Sequence, residues 1–540
     1  MKGARRLIFD ILPYSSETLL ACFLDESLST AANISGSRRT RYFQQYFEEL
    51  KAATILVEKD YVDRDYLHDY AEYYDRCFRD YPRRTRRLHF FSLDFSLEDF
   101  EQALISDSEG GIAPKLQESY LGFIVVKPLP QTIIGRTCLQ TYSDDSGRRN
   151  FPCLRGYLVN LYGLELEVRT LAFQEQDQVV AACATSALWT CLQGTGKLFQ
   201  HPIPAPVEIT KWAGDQIPEN VVAGGARSFP NNGLTVRQMA HAIRRVDLEP
   251  HVIRTGDKYN LHSAVYAYLK GKIPPILSTQ LVDHTGDNKT FRGAHSVAVT
   301  GFSLRDDAEY VCPPSGFRLR AARLDKLYVH DDQVGPFCRM WWELLPIPER
   351  VSGEEQYSGL KTSWSDTLYH FPDFILLPLY HKIRIPFSLI HDAMLVLDSF
   401  MTALRRDAGI DAEPPEWDIF LTTVNDYKSS IRHEYTAFGT DFLKRSLYAR
   451  MPRFLWRVIV RRGENIQMDF LFDATGVAQH NLLMNVVSIA CEDRDLIARL
   501  AEPEYLEVVN QFPLQARSVI DAFAEADAAE IRDYMSPLRR

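Results

Sequence analysis

Apolar and polar residues switch between helical and strand-like spacing along the whole chain. In the first 170 residues, positions 42–51 (YFQQYFEELK) are amphipathic at helical spacing and positions 53–57 are β-rich. Positions 66–80 return to helical spacing with many tyrosines, and positions 122–126 (GFIVV) predict a buried strand ending near Pro128. Positions 106–111 and 143–149 are polar, turn-rich connectors.

Residues 174–196 (QEQDQVVAACATSALWTCLQGTG) organise the middle of the chain. A glutamine-rich approach and a short apolar run lead to Cys183. Ala184, Ala187, Leu188, Cys191 and Leu192 then recur at helical spacing. The pattern predicts a helix of about ten residues, with Cys183 in its first turn and Gly194 and Gly196 as its stop. No Ser, Thr, Asp or Asn stands directly before it as a cap.

A loop rich in Pro and Gly is expected over 201–233. Thr235 then opens a helix. Its hydroxyl can cap the N–H of Gln238, the Gln238 side chain can reach back, and Leu234 and Met239 flank this capping box as a staple. Val236, Met239, Ala240, Ile243 and Val246 form the apolar stripe, with His241 beside it. A further helix is expected over 261–270, stopping at Gly271, and a strand over 275–282.

Small and β-branched residues on both faces of 293–302 (GAHSVAVTGF) predict a central strand buried on two sides, with His295 at its mouth. A strand over 326–330 (KLYVH) delivers Asp331 and Asp332, before a turn at Gly335 and Pro336. Strict alternation puts Leu327, Val329 and Asp331 on one face and Tyr328, His330 and Asp332 on the other. The aliphatic face belongs to the core, so Asp331 is expected against the imidazole and Asp332 toward the turn or solvent.

From about residue 346 the pattern predicts strands at 374–378, 454–460 and 466–472, with a hairpin turn at 461–464 (RRGE). Helices are expected over 387–406, 434–449, 502–509 and 514–535, the last two divided at Pro513. His381, His433 and His480 stand alone there, and no catalytic constellation emerges.

Composition narrows the function classes. The 540 residues leave room for several domains, and a net charge of −10 gives no basic field to draw the chain to nucleic acid or an anionic membrane. The arginines at 76, 79, 83, 84, 86 and 87 form the one basic cluster, read as a solvated face paired with nearby acids. Nine scattered cysteines without a CxxC pair point to reduced thiols and a cytoplasmic location. The N-terminal apolar run is broken by Asp10, Pro13 and Glu17 and does not read as a signal peptide. No run of eighteen apolar residues predicts a membrane span. No Cys/His pair has metal-ligand spacing, so neither metal nor cofactor is expected.

A lone cysteine is most often a small buried hydrophobe, and Cys191 fits that reading. Cys183 differs. At a helix start its sulfur meets unpaired peptide N–H groups and the positive end of the helix dipole, an environment that favours thiolate. His295 among Ala, Ser and Val is either a carbonyl-bonded core histidine or a general base, and two acids after a strand are either a turn cap or the partner of that base.

The order of a Gln-rich approach, Cys at a helix start, His at a strand mouth and Asp at the next strand end resembles the papain-like cysteine peptidases. It lies nearest the bacterial branch that processes double-glycine leaders. The segments carrying the resemblance are CATSALW, GLTVRQMAHAIRR, YLKGKIPPIL, GAHSVAVTGF and LYVHDD, across roughly residues 172–345.

The resemblance implies that Cys183 attacks a carbonyl, His295 transfers the proton, Asp331 orients the imidazole, and a glutamine joins the Cys183 backbone N–H in the oxyanion hole. The family's glutamine usually stands six residues before the cysteine, where this chain has Asp177. Gln178 is five before and is favoured, and Gln176 is seven before. Ala184 follows the cysteine where papain has an aromatic residue.

The expectation is therefore a cytoplasmic α+β protein. It has a papain-like cysteine peptidase core at 171–345, between N-terminal (1–170) and C-terminal (346–540) α/β accessory regions, and acts on a protein or peptide. Transglutamination or deamidation through the same triad, or a non-catalytic scaffold of the same fold, are the alternatives.

Overall fold

The computed structural model of the chain describes residues 8–524, apart from 26, 106–110, 178, 218–228, 230–232, 286–287, 313–314, 346–357, 364–365, 411–412, 436–439 and 489–490. The protein is a mixed α+β chain of several antiparallel sheets, 36% helix and 33% strand, so neither kind of element dominates. It packs as two compact units of discontinuous sequence. One is made of Met1–Ile253, Pro274–Phe302 and Lys326–Pro378, the other of Arg254–Ile273, Ser303–Asp325 and the chain from Leu379 onward. Every candidate site residue belongs to the first unit.

The first unit opens with a five-stranded antiparallel sheet in chain order: β1 (Phe9–Pro13), β2 (Thr54–Tyr61), β3 (Thr85–Phe91), β4 (Tyr120–Val126) and β5 (Ile134–Leu139). Helices α1 (Ser16–Leu24), α2 (Ala31–Ser35) and α3 (Arg38–Glu49) connect β1 to β2. Helix α4 (Arg64–Glu72) follows β2, and α5 (Leu97–Ile105) and α6 (Ile112–Ser119) precede β4.

The amphipathic stretch at 42–51 lies in α3, which buries Tyr42, Phe43, Tyr46 and Phe47. Phe47 stacks on Phe90 of β3 with ring centroids 3.9 Å apart. The helical spacing at 66–80 ends at Glu72, followed by a single 3₁₀ turn at Tyr74–Arg76. The arginine cluster is not one solvated face. β3 draws Arg86 and Arg87 inward, where they meet Asp25 at 2.9 Å and Glu58 at 2.7 Å. The connector at 106–111 falls almost entirely outside the described residues, whereas 143–149 includes the expected turn.

After the short β6 (Arg149–Asn150) and the hairpin β7 (Arg155–Leu161)–β8 (Leu164–Thr170) comes α7 (Cys183–Phe199), 17 residues long. It begins where expected but runs straight through both glycines to Gln200, which takes the left-handed conformation at φ 61°. Gly194 and Gly196 are places of close approach, not stops. A Cβ on Gly194 would lie 2.8 Å from Pro274 Cγ, and one on Gly196 2.9 Å from Ile203 Cγ1.

The expected loop at 201–233 contains a helix, α8 (Pro206–Gly214), with Pro206 at its first position and the Glu208 carboxylate accepting from the Ala205 N–H at 2.7 Å. The capping box of Thr235 and Gln238 is present at the start of α9 (Val236–Arg244). Met239, Ile243 and Val246 are buried.

β9 (Leu248–Arg254) then leads toward a ring of strands. β10 (Ile276–Thr285), β11 (Asn288–Leu304), β12 (Leu324–Asp331), β13 (Gly335–Leu344), β14 (Ser358–Thr362) and β15 (Leu368–Tyr380) pair in that order, and β15 pairs again with β10. β9 joins on β15. Val297, Ala298 and Val299 in the middle of β11 are fully buried, as the small and β-branched pattern predicts. The turn spans 332–334, beginning at the second acid, Asp332, and Gly335 already begins β13.

The second unit carries a four-stranded antiparallel sheet, β16 (Glu416–Thr423), β17 (Phe454–Arg462), β18 (Asn465–Asp473) and β19 (Leu483–Ser488), with the β17–β18 turn at Gly463 and Glu464. Its helices are α10 (Lys258–Lys270), α11 (Phe387–Asp407), α12 (Val424–Glu434), α13 (Thr440–Tyr448), α14 (Cys491–Arg499), α15 (Leu506–Val509) and α16 (Leu514–Ala524). Of the helix expected at 434–449 the structure describes α13, and α12, capped by Thr423, is an additional helix before it. The last expected helix is described only to Ala524.

α11 is the one helix among the described residues long and apolar enough to cross a membrane, although no run of eighteen apolar residues marks it. It buries Ile390, Met394, Leu397 and Met401, and its Asp398 accepts from Trp417 Nε1 at 2.8 Å.

Candidate active site

Cys183 is the first residue of α7, half-buried at the protein surface, while Cys191 two turns on is fully buried. Ala182 before it contributes no side-chain cap, so the first peptide N–H groups of the helix have no partner from that source. Burial holds the Cys191 thiol well above its usual range, which suits an inert core residue.

His295 sits on β11 with its ring buried. Its Nε2 lies 3.0 Å from Asp331 Oδ1 at the end of β12. The buried Nδ1 makes no ordinary hydrogen bond, and the Cys183 thiol interacts with the same ring. Burial alone would push the imidazole pKa down. The Asp331 charge and hydrogen bond outweigh it, helped by Cys183 and Asp332, and hold the ring well above its ordinary value. Asp331 is the mirror case. Burial would raise it, but the imidazole keeps it below the ordinary aspartate value, and its Oδ1 also accepts from the Gln333 N–H at 3.0 Å.

Behind the ring stands His370 of β15, 5.8 Å away between ring centroids and bonded to Thr279 at 3.2 Å. Burial, with the imidazole of His295 adding to it, lowers His370 to about 4, so it stays neutral.

Asp332 is where alternation fails. It is 3% exposed, and its Oδ1 lies 3.9 Å from His295 Nε2, not toward the turn or solvent. β12 ends at Asp331 and Asp332 opens the turn at 332–334, so strand alternation no longer sets the direction of its side chain. Burial and the charge of Asp331 raise Asp332 to about 7, against the opposing pull of His295 and Arg39.

The approach to the cysteine is pinned by the first 170 residues. Phe173 pairs backbone to backbone with Thr137, and the Glu175 carboxylate accepts from the Ile134 N–H at 2.9 Å. Arg39 of α3 meets Glu175 at 2.5 Å and donates to the backbone carbonyl of Asp332 at 3.0 Å. Tyr42 donates to the Pro336 carbonyl at 2.5 Å, and Gly335 permits that approach: a Cβ there would lie 2.3 Å from the Tyr42 ring.

Asp177, six residues before Cys183, is a buried turn residue. Its Oδ1 accepts from the N–H groups of Val179 and Val180, Tyr74 donates to its Oδ2 at 2.5 Å, and Lys127 is 4.0 Å away. Gln178 lies outside the described residues. Gln176 is half-buried and lines a cleft with Arg39, Glu175 and Thr132.

The structure thus brings together Cys183, His295 and Asp331, and adds Asp332, Arg39, Glu175 and His370, which sequence reasoning did not assign to the site. The Asp-Asp pair was visible, but the turn that brings Asp332 back beside the imidazole was not. Arg39 stands in an ordinary polar helix start, with nothing local to mark a partner so far along the chain.

Among the described residues, His295, Asp331 and Asp332 are the one group whose ligand atoms converge within 4.8 Å. The imidazole edge is already bonded to Asp331 and Arg39 stands beside Asp332, so the arrangement suits a hydrogen-bonded pair better than a cation cage, and no metal ligand is assigned. No protein-family profile and no curated protein matches the chain.

Proposed function

We propose that the chain is a cysteine hydrolase with a papain-like core that cleaves a peptide or isopeptide bond through an acyl-enzyme. The observation that carries this reading is the shared imidazole: Asp331 holds Nε2 of His295, while the half-exposed Cys183 thiol interacts with the same ring. With Nε2–H given to Asp331, Nδ1 is the nitrogen left to take the thiol proton and return it to the leaving amine. The N–H groups at the start of α7, which receive no side-chain cap, would supply oxyanion donors, and Gln178 or Gln176 the side-chain donor.

The resemblance to the bacterial double-glycine-leader branch suggests a cytoplasmic enzyme acting on a protein or peptide, with the peptidase domain at 171–345 and accessory regions on either side. The contacts of Arg39, Tyr42, Tyr74 and Lys127 argue that the N-terminal region supports the site and is more than an appendage.

An activated-cysteine probe tests the proposal. Labelling of Cys183 near neutral pH, lost in Cys183→Ala and in His295→Gln, supports it. A Cys183 that reacts like a free thiol, with or without His295, refutes it in favour of a scaffold. Trapping on Cys183→Ala then separates hydrolysis from transglutamination or deamidation by the nature of the captured acyl donor.

A further inference from the structure

Two carboxyl groups converge on one imidazole N–H. Asp331 accepts it at 3.0 Å, and Asp332 waits at 3.9 Å with both oxygens buried and without a hydrogen-bond partner among the described residues. One ring nitrogen of His295 and one oxygen from each carboxyl lie within 4.8 Å of one another. Two adjacent buried carboxylates cannot both ionise cheaply around a single cation. The turn that begins at Asp332, directly after β12, holds this carboxyl beside the imidazole.

Resting on the reading of Cys183 and His295 as nucleophile and base, we propose that Asp332 is a positioning residue for His295: a neutral carboxylic acid that leaves Asp331 as sole charged partner at low pH, and on ionising adds a second negative charge that strengthens the imidazole's hold on its proton.

The groups facing Asp332 set the sense of this effect. Asp331 on its own strand opposes ionisation. His295 on β11 and Arg39 on α3 favour it, although Arg39 is shared with Glu175. His370 on β15 acts on Asp331 and His295, and Cys338 on β13 faces Asp331. The Asp332 carboxyl, raised to about 7, therefore changes charge in the range where the enzyme would work. The proton leaves to solvent and no bond is made or broken, so the step needs no co-reactant.

The test reads the imidazole directly, by NMR titration of the full chain carrying ¹³C-labelled histidine, with the His295 signal assigned by His295→Gln. In the unmutated protein His295 shows two steps, one tracking Asp332 near neutrality and one, at higher pH, its own loss of the proton. In Asp332→Asn the first step disappears and the second moves down by about one pH unit or more. An Asp332→Asn titration superimposable on that of the unmutated protein overturns the proposal, and so does a stoichiometric divalent cation in metal analysis of the purified protein. If Asp332→Asn does not fold, Asp332→Ser is read in the same way.

Alkylation of Cys183 in the same samples separates the two readings. Ordinary thiol reactivity in the unmutated protein overturns the hydrolase reading itself, whereas an activated Cys183 with an unchanged His295 titration in Asp332→Asn overturns only the role of Asp332.

Discussion

Arg39 of α3 donates to the backbone carbonyl of Asp332, 293 residues further along the chain, while its other terminal nitrogen meets the buried Glu175. One guanidinium thus ties the approach to the cysteine to the turn that carries the acids. Arg39→Ala strips Glu175 of its cation and frees both segments. It should cost roughly 3 kcal/mol, the low end for breaking a buried pair, because the arginine is itself partly solvated. Arg39→Lys keeps the charge without the planar fork and should recover stability better than it recovers Cys183 labelling. Chemical denaturation beside labelling rates checks this, and equal recovery of both would argue against a geometric role for the fork.

The two cysteines of α7 should separate cleanly. Cys183→Ala is expected to lower turnover by at least about 10³-fold with the fold intact. Cys191→Ala removes a fully buried sulfur from a packed helix, costs about 1 kcal/mol, and leaves activity largely unchanged. Labelling that persists in Cys183→Ala and disappears in Cys191→Ala would show the wrong nucleophile has been chosen.

Asp331→Asn should reduce activity by about 10³–10⁴-fold, since the amide can hold the wrong tautomer and carries no charge. Asp332→Asn keeps shape and neutrality, so near pH 5, where the native acid is also protonated, its activity should match the parent within a few-fold. Kinetics of both variants on one working substrate decide the order, and a larger loss from Asp332→Asn would reverse the assignment.

Stability should respond to pH through the same acid. Asp332 is raised to about 7 in the folded chain, from an ordinary value of 3.8. Between those values the unfolded chain releases the proton and the folded chain keeps it, so this group makes stability fall as pH rises across that window. Asp332→Asn abolishes the fall. Its melting temperature should equal the parent's near pH 4 and exceed it by several degrees at pH 8, about 2–4 °C for each kcal/mol relieved. Asp331 acts in the opposite sense: its depressed pKa makes its contribution present above about pH 4 and lost in stronger acid. A constant offset between Asp332→Asn and parent at every pH would contradict the assignment.

How far the site could be read from sequence follows from the range of each cause. The start of α7 and the capping box of α9 are local patterns, and both are where the residues put them. The two-sided burial of β11 is local too. Gly194 misled because a glycine needed for close packing looks, in sequence, like one needed for a stop. The Pro206 and Glu208 signals of α8 were present but masked by a loop-like composition around them. Asp332, Arg39 and Glu175 were not legible, since the direction of a turn residue and partners hundreds of residues apart leave no periodic trace.

The Gly194 contact gives a prediction that runs against helix propensity. Alanine in a helix interior ordinarily gains about 1 kcal/mol over glycine. Here the new Cβ would lie 2.8 Å from the rigid Pro274 ring, and overpacking of that kind costs about 1–3 kcal/mol. Gly194→Ala should therefore destabilise the protein, as measured by a lowered denaturation midpoint. A stabilised Gly194→Ala would mean that α7 and Pro274 can part without penalty.

The ring of strands that carries His295 also restricts how an extended partner can be recognised. β10 is paired on both sides, with Ile276 opposite Ala298 of β11 and Leu376 of β15, and β11 lies between β10 and β12. Strand addition, in which a guest peptide completes a sheet at an open edge, has no vacancy on the strand bearing the imidazole. On the proposed reading, a substrate backbone reaching Cys183 would be met by connecting residues and not by a free edge of β11. Selectivity would reside in those few connecting residues, and exchanging them while leaving the barrel untouched is the route by which this scaffold could be turned to a different peptide.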